Sequence, residues 1–322
     1  MAEGLIKGFK HLPGSGLFAA GSVVTAGAFD GLHLGHQHLI KNVASVAREQ
    51  QLPAVAITFE PLPREYFSPE DAPARLMSFR EKFEGLRELG IDYVLLVRFD
   101  DNIRKLPAAE FADQLFVQGL NARHVIIGDD FHFGANAKGD FALLQDILSA
   151  KGAIVESIDS QMVSNCRVSS SLIRDKLSRG DFSAAESLLG RPYTIKGKVF
   201  PGRQLGRQLG FPTANIQLRR LCTAMSGVYV VDVCIDEVGI FEVCDRWLPA
   251  VANVGTRPTV TRGKHVTLEV HLLDYSGDLY GKRLNVRFHE KIRDEKKFDG
   301  LDMLKAQIAK DSKLAREYFQ LN

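Results

Sequence analysis

The stretch Gly27-Ala28-Phe29-Asp30-Gly31-Leu32-His33-Leu34-Gly35-His36-Gln37 decides how the first half of the chain folds. Before it, the run Ser22–Ala28 is mostly apolar and predicts a short buried strand. After it, apolar residues recur at helical spacing through Leu39–Ala47, which places His36 near the first turn of a helix. A strand, a glycine-containing turn and a helix start together present free backbone N–H groups to an anion.

Two histidines, His33 and His36, lie on the same side of this turn. Imidazoles donate hydrogen bonds to phosphate oxygens and carry charge near neutral pH. Such groups suit a displacement at phosphorus, where catalysis depends on positioning and on stabilising spread negative charge. A surface histidine pair and a metal site are the alternative interpretations. Zinc is disfavoured because the run is not His-Glu-x-x-His and no cysteine lies near it.

The tetrapeptide His33-Leu34-Gly35-His36 resembles the HxGH signature of the nucleotidyltransferase superfamily. The longer pattern Gly27-x-Phe29-Asp30-Gly31-x-His33-x-Gly35-His36 resembles its form in bifunctional bacterial riboflavin kinase/FMN adenylyltransferases, also called FAD synthetases. The resemblance implies that His33 and His36 are catalytic. It also implies that other positions of the pattern bind the nucleotide substrates: Gly27, Phe29, Asp30 and Gly35.

Composition predicts a two-domain protein without a general nucleic-acid or membrane-surface partner. The chain has 322 residues, 45% of them apolar, and a formal charge of +2. This length favours two cores over one. Because basic and acidic residues are interspersed, an anionic substrate must be met by local sites and not by a field over the whole surface.

The cysteines and the N-terminal sequence favour a cytoplasmic protein. Four cysteines without CxxC spacing indicate a reduced setting more than a disulfide framework: Cys166, Cys222, Cys234 and Cys244. The apolar run Leu17–Val24 is too short to span a bilayer, and no signal-peptide pattern precedes it. The sequence leaves open whether the chain forms a homo-oligomer.

Up to about residue 190, strand-like runs alternate with helical ones. This alternation predicts βαβ units and an α/β fold with a Rossmann-like, doubly wound parallel sheet. Ligands gather at the carboxyl ends of the strands in such sheets, and the first motif falls there. A helix at Asp181–Leu189, followed by Gly190 and Pro192, marks the end of this half. We therefore predict domains at residues 1–188 and 189–322.

Three further stretches of the first half fit the same site. The loop Gly128–Gly134 carries Asp130 and resembles the family's loop for the adenine nucleotide and flavin, although an ordinary turn with buried aromatics fits equally well. The segment Thr58–Pro63 resembles a flavin-contacting segment. Hydroxyls before a guanidinium resemble the family's Ser-Ser-Thr-x-x-Arg run and favour a phosphate clamp, with helix capping as the alternative: Ser169, Ser170, Ser171 and Arg174.

The second half changes to strand-like runs separated by short turns, which predicts an antiparallel barrel or sandwich with an amphipathic terminal helix. Thr213 and Asn215 alternate in an extended segment and so face the same way; hard oxygen donors of this kind suit Mg²⁺ with nucleotide phosphates. Glu269 lies in a strand of alternating polar and apolar residues. It is either simply solvent-exposed or the base that takes a proton from an attacking hydroxyl.

This half closely resembles riboflavin kinase, through Gly206-Arg207-x-x-Gly210-Phe211-Pro212-Thr213-Ala214-Asn215, Asn253-x-Gly255-x-Arg257-Pro258-Thr259 and Leu268-Glu269-x-His271. The resemblance implies a small antiparallel barrel, Mg²⁺ at Thr213 and Asn215, and Glu269 as base. It implies flavin contact near Arg293. It also implies that further motif residues bind the substrates: Gly206, Arg207, Gly210 and Arg257.

The resemblance as a whole implies two successive reactions, riboflavin to FMN and FMN to FAD, with ATP as co-substrate and Mg²⁺ as cofactor. Ala28, Leu62 and Pro201 depart from the family's usual residues, which leaves open an enzyme with only one of the two activities. A flavin-binding regulatory protein is the alternative from another class. An RNA-binding role is disfavoured for lack of a basic stripe.

Overall fold

The structure, a computed structural model, describes residues 3–201, 210–218, 220, 222–235, 239–258 and 264–321. The chain forms two compact units. The first comprises Met1–Ala72 and Lys82–Val168, and the second comprises Pro73–Glu81 and Ser169–Asn322. The assignment of separate functional domains to residues 1–188 and 189–322 stays a prediction.

A six-stranded parallel sheet forms the centre of the first unit. Its strands are β1 Leu5–Lys7, β2 Ser22–Ala26, β3 Ala54–Glu60, β4 Tyr93–Arg98, β5 Ala122–Gly128 and β6 Ile154–Ile158, in the spatial order β1-β4-β3-β2-β5-β6. The strand order reverses between β2 and β5, so the carboxyl ends of these two strands flank the crevice where doubly wound sheets bind ligands. The predicted Rossmann-like sheet is confirmed.

The helices between these strands are α1 Leu34–Gln50, α2 Pro63–Phe67, α3 Phe79–Glu88, α4 Asp101–Lys105, α5 Ala108–Ala112 and α6 Phe141–Ser149. The helix that begins at Ala108 changes from an α-helix to a π-helix at Asp113–Gly119. There the N–H of Leu120 donates to the carbonyl of Leu115 at 3.0 Å, one residue further back than in an α-helix. A short hairpin, β7 Met162–Val163 and β8 Cys166–Arg167, follows β6.

The core of the first unit fixes the strand ends from which the site loops leave. Every residue of β2 is buried, as expected for a central strand covered on both faces. Val24, Ile57 and Leu95 lie in one apolar cluster with Phe111 and Phe116. Burial of such side chains stabilises the fold by about 1.5–3 kcal/mol each.

The second unit contains a closed six-stranded antiparallel barrel. Its strands are β9 Thr194–Phe200, β10 Ala214–Leu218, β11 Gly227–Cys234, β12 Leu248–Pro258, β13 Lys264–Leu272 and β14 Arg283–Arg293, in the order β10-β13-β12-β11-β14-β9. Two helices precede the barrel, α7 Ser170–Ser178 and α8 Phe182–Leu189, and α9 Leu301–Tyr318 follows it. The predicted barrel and terminal helix are confirmed. No helix in the described ranges is long and apolar enough to cross a membrane.

Two of the cysteines form a disulfide. Cys234 ends β11, and Cys244 lies in the connection to β12. Their Cα atoms are 6.4 Å apart, and their sulfurs are bonded. The expectation of a reduced set of cysteines is wrong for this pair, because the connection folds back on the strand end and no CxxC spacing is needed. Cys166 is an exposed free thiol.

A buried ion pair holds the segment Pro73–Glu81 in the second unit. Arg220 Nη2 lies 3.3 Å from Glu81 Oε2, and both side chains are only 3% exposed. Glu81 also accepts hydrogen bonds from the backbone N–H groups of Ser78 and Lys196, at 2.6 and 2.9 Å. The carboxylate is therefore satisfied on several sides, and removing the guanidinium leaves a buried charge without its counter-ion.

We expect Arg220→Met to lower the free energy of unfolding of the second unit by about 3–5 kcal/mol, because breaking one side of a buried pair exposes the other charge to a low dielectric. Chemical denaturation measures the change. Combining Arg220→Met with Glu81→Leu should recover part of the loss. Asp175→Asn is the control, because it breaks the exposed Arg179–Asp175 pair and should cost less than about 1 kcal/mol. Equal losses in the two single variants would contradict the assignment.

Candidate functional site

The turn between β2 and α1 has an unusual backbone. Phe29 and Leu32 adopt positive φ values of 49° and 43°, on either side of Gly31 at 86°. Non-glycine residues avoid this region, and each costs about 1–3 kcal/mol unless the surroundings hold it. Here burial does so, since Phe29 is 1% and Leu32 is 0% exposed. The anchored side chains force the chain to turn directly into the helix.

His33 caps the N-terminus of α1. Its Nδ1 accepts a hydrogen bond from the backbone N–H of His36 at 3.3 Å. An accepting Nδ1 leaves the imidazole proton on Nε2, so a neutral His33 presents Nε2–H as a donor. Gly35 makes room for this ring, because a Cβ at that position would lie 3.3 Å from the His33 ring. A Cβ at Gly27 would likewise lie 3.0 Å from the Phe29 ring, so both glycines serve the packing of the turn.

The two motif imidazoles are stacked. The ring centroids of His33 and His36 are 3.6 Å apart with an interplanar angle of 16°, and Phe29 meets His36 edge-on at 5.5 Å. Burial lowers the pKa of His36 well below 6.5, and the charges of His33 and Lys82 lower this pKa further. His36 is thus neutral near pH 7, whereas sequence reasoning expected charge there. Its buried Nδ1 has no hydrogen-bond partner among the described residues.

The loop after β5 lies at the neighbouring strand end and is tied to the β7–β8 hairpin. Arg167 Nη2 lies 2.7 Å from Asp130 Oδ2 and 3.2 Å from Asp129 Oδ1. Ser160 Oγ donates to Asp129 at 2.8 Å. Burial raises the pKa of Asp129, but the hydrogen bonds from Ser160 and the charge of Arg167 outweigh it and lower the pKa overall. The predicted residue Asp130 is therefore held in place beside an arginine that sequence reasoning did not single out.

An aromatic cavity of about 230 Å³ opens at the same end of the first unit. Two of the predicted segments line it, through Phe59 and Pro63 of one and Phe131 and Phe133 of the other. The rings of Phe131 and Phe133 stack at 5.5 Å. Sequence reasoning missed the remaining aromatic lining, because these residues belong to separate helices and a connection: Phe67, Phe99 and Phe111. The cavity has the flat, apolar walls that suit a planar aromatic ring.

The predicted hydroxyl and guanidinium run belongs to the second compact unit. Ser169 caps α7, since its side chain accepts from the N–H of Leu172 at 3.2 Å. Ser170 and Ser171 begin the helix. Arg174 Nε donates to the carbonyl of Ala74 at 2.6 Å. The capping interpretation is met for Ser169, and a phosphate-binding role of the run stays a prediction.

The barrel brings Asn215 and Glu269 together. Asn215 on β10 pairs directly with Glu269 on β13, and Glu269 pairs on its other side with Asn253 on β12. Directly paired residues of antiparallel strands share a face with Cβ atoms about 4.5–5.5 Å apart. Thr213, just before β10, faces the same way, and its carbonyl accepts from Asn215 Nδ2 at 3.4 Å. Sequence reasoning quoted Asn253 in a motif but gave it no role.

Arg293 lies on the same row of the barrel, where it pairs with Val228, the partner of Asn253. Asp311 of α9, which is 2% exposed, accepts from Arg293 Nε at 3.0 Å and from Nη2 at 2.7 Å. The guanidinium thus anchors the terminal helix to the end of β14. Its predicted contact with flavin stays a prediction.

The remaining predicted residues of the second half are Arg257 and those of the glycine-rich stretch, Gly206–Gly210. Gly206 and Arg207 lie outside the described residues, and so does the side chain of Arg257. Gly210 has a φ of 86°, and a Cβ there would meet nothing within 4 Å. The backbone conformation at position 210, and not a close neighbouring atom, therefore favours glycine there.

Comparison with known proteins identifies the family. A model described as FAD synthetase matches residues 17–172, and one described as riboflavin kinase matches residues 189–319. The chain is 46% identical over 296 residues to the bifunctional riboflavin kinase/FMN adenylyltransferase of Pseudomonas fluorescens, covering 92% of each chain. It is 45% identical to the protein of the same name from Escherichia coli strain K12, covering 98% of each chain. The chain belongs to the bifunctional riboflavin kinase/FMN adenylyltransferase family.

Among solved structures, a crystal structure described as a macrolide-efflux protein from Streptococcus pneumoniae is similar to this family member. The TM-score is 0.76 and the sequence identity 31%, over 97% of this chain and 98% of that one. The likeness extends through both the parallel sheet and the barrel. Efflux is a description of that protein alone.

We expect His36 to titrate well below pH 6.5 in the folded family member. An unfolded histidine has a pKa of about 6.5, so the unfolded state binds this proton more readily and stability falls as the pH drops through that value. His36→Gln should therefore lose less stability than the wild type between about pH 7 and pH 5. NMR follows the ring directly, with His38→Gln at an exposed position as the control. A His36 resonance that titrates at or above pH 6.5 would contradict the burial argument.

Proposed function

We propose that the chain catalyses two successive ATP-dependent reactions: phosphorylation of riboflavin to FMN, then adenylylation of FMN to FAD with release of pyrophosphate. One observation carries the proposal. The two units hold chemically different polar groups, a stacked imidazole pair at a helix N-terminus in one and a carboxylate between two amides in the other. Incubating the purified protein with riboflavin, ATP and Mg²⁺ and separating the flavin products tests both activities at once.

The first unit suits adenylyl transfer. The phosphate of FMN attacks the α-phosphorus of ATP, and pyrophosphate leaves. The nucleophile is already anionic, so no protein base is needed, and the Nε2–H of His33 and the imidazole of His36 donate to the oxygens that gain charge. The backbone N–H groups at the start of α1 add to this stabilisation, and no acidic residue lies in its first turn to oppose it.

The aromatic cavity holds the flavin ring in this proposal. Its walls come from segments that leave the carboxyl ends of β3 and β5, on either side of β2. A ligand ring placed there is within the same strand-end crevice as the HxGH turn. Asp130 of the loop after β5, together with Gly27, Asp30 and Gly35 of the turn, positions the nucleotide.

The barrel suits phosphorylation of an alcohol. The terminal ribityl hydroxyl of riboflavin is neutral, so Glu269 takes its proton as the hydroxyl attacks the γ-phosphorus of ATP and ADP leaves. Thr213 and Asn215 hold Mg²⁺ with the ATP phosphates. Because the Asn215 amide nitrogen donates to Thr213, its oxygen is left for the cation. A hydroxyl and an amide oxygen are hard donors that fit Mg²⁺, and bound Mg²⁺ supplies neutralisation of phosphate charge.

The other predicted residues complete the proposal. Ser169, Ser170, Ser171 and Arg174 bind ATP phosphates in adenylyl transfer. The kinase reaction uses the glycine-rich stretch and its partners: Gly206, Arg207, Gly210, Arg257 and Arg293. We assign the two reactions to residues 1–188 and 189–322, and the protein to the cytoplasm.

We expect His36→Ala to lower FAD formation from FMN by at least about 100-fold while riboflavin phosphorylation persists, because it removes a donor to the reacting phosphate. Glu269→Ala should do the reverse, because it removes the base for a neutral alcohol. Assays of each half-reaction on the same preparations measure both. Loss of both activities in either folded variant would show that the two reactions share a site.

Phe67→Ala should raise the KM for FMN by roughly threefold to tenfold, since an aromatic contact contributes about 0.5–1.5 kcal/mol. Phe67 lines the cavity yet is 58% exposed, so its loss should leave the stability unchanged. Phe200→Ala is the matched control in the barrel, where the phenylalanine is 38% exposed. An unchanged KM for FMN in Phe67→Ala would place the flavin elsewhere.

A further inference from the structure

Lys82 on α3 is a buried lysine that neither the motifs nor the proposed reactions use. It is only 2% exposed. Its Nζ lies 3.4 Å from the Oγ1 of Thr58, which is fully buried in β3. Transfer of an ammonium out of water is costly, so a buried lysine is held in a defined place in the fold. The role of Lys82 is therefore inferred from where its Nζ lies in the fold.

The strand register places the ammonium beside the HxGH turn. Ala26 at the end of β2 pairs with Ile57, and the N–H of Gly27 donates to the carbonyl of Ile57 at 3.0 Å. Thr58 is the next residue of β3, so it lies alongside Gly27, where the turn begins. Lys82 Nζ is thus held at the carboxyl edge of the sheet, where ligands of doubly wound folds bind.

A second buried hydroxyl faces the same side of the sheet. Thr25 pairs with Ala56 in β3, and Ala56 and Thr58 project to one face because strand residues alternate. Thr25 is fully buried, and its Oγ1 has no hydrogen-bond partner within the described ranges. The hydroxyls of Thr25 and Thr58 therefore lie on the same face of the sheet, and Lys82 Nζ contacts that of Thr58.

The charge of Lys82 acts on His36 of the HxGH turn. It contributes to the lowered pKa of His36, after burial and the charge of His33. His36 therefore donates hydrogen bonds as a neutral imidazole, although the ligand proposed for this site carries several negative charges. A fixed cation close by would bind phosphate oxygens strongly, because charge interactions gain strength where water is excluded.

We propose that Lys82 binds the triphosphate of ATP at the HxGH turn and supplies a fixed positive charge there. The ammonium has three donors and no acceptor, so it stabilises the phosphate oxygens and the departing pyrophosphate and moves no proton. Thr58 positions it through the hydroxyl contact. This inference rests on the proposed adenylyl transfer.

The test compares Lys82→Met with Lys41→Met, a matched change of an exposed lysine on α1. The readouts are kcat/KM for ATP in FMN adenylylation, the inhibition constant of inorganic pyrophosphate in that reaction, and riboflavin phosphorylation. Lys82→Met should lower kcat/KM by about 100-fold or more and weaken pyrophosphate inhibition at least about tenfold. It should leave riboflavin phosphorylation unchanged, and Lys41→Met should change none of the three.

A folded Lys82→Met protein with kcat/KM and pyrophosphate inhibition both near wild-type values would overturn the proposal. If that variant does not fold, Lys82→Gln, which keeps a polar end group without the charge, decides: weakened pyrophosphate inhibition supports the phosphate contact, and an unchanged inhibition constant overturns it. Thr58→Val distinguishes a positioning role of Thr58 from a purely structural one. Weakened pyrophosphate inhibition indicates that Thr58 positions Lys82, whereas a loss of stability alone indicates a structural role. A wild-type protein that makes no FAD from FMN would instead overturn the proposed adenylyl transfer.

Discussion

The first site depends on a backbone constraint, the left-handed conformation of Phe29 and Leu32 in the turn after β2. Each such residue costs about 1–3 kcal/mol, and burial of each side chain offsets this by about 1.5–3 kcal/mol. The turn can therefore be tight without being unstable. Its tightness puts His33 at the cap of α1 and stacks His36 on it. Stacking disfavours a positive charge on both rings at once, and together with burial it keeps His36 neutral.

The second site depends on strand register in place of a strained turn. Asn215, Glu269 and Asn253 are adjacent because three antiparallel strands pair in one register. A slip of one of these strands by one residue would turn its side chain to the other face. The row continues through Val228 to Arg293, where α9 covers it. The closed barrel and the terminal helix thus fix the carboxylate without any residue in an unfavourable conformation.

Much of the fold is predictable from the sequence because it follows from local periodicity. Alternating strands and helices indicate the parallel sheet, and turn-separated strands indicate the barrel. The HxGH turn and the Thr213–Asn215 pair are local, so they were predictable too. The aromatic cavity was not, because Phe67, Phe99 and Phe111 meet only through tertiary packing. The Arg293–Asp311 contact and the Cys234–Cys244 disulfide likewise depend on distant or folded-back segments that no spacing rule detects.

The chemistry of the two nucleophiles explains why one chain keeps two different sites. The FMN phosphate is close to a dianion at neutral pH, since its second pKa is about 6. A carboxylate base about 4 Å from it would repel each charge by about 1–4 kcal/mol, depending on the dielectric. Such a base would oppose binding in adenylyl transfer and offer nothing, because that nucleophile has no proton to lose. A neutral ribityl hydroxyl has the opposite need. In the proposed assignment, the carboxylate of Glu269 and the imidazoles of the HxGH turn therefore serve different reactions.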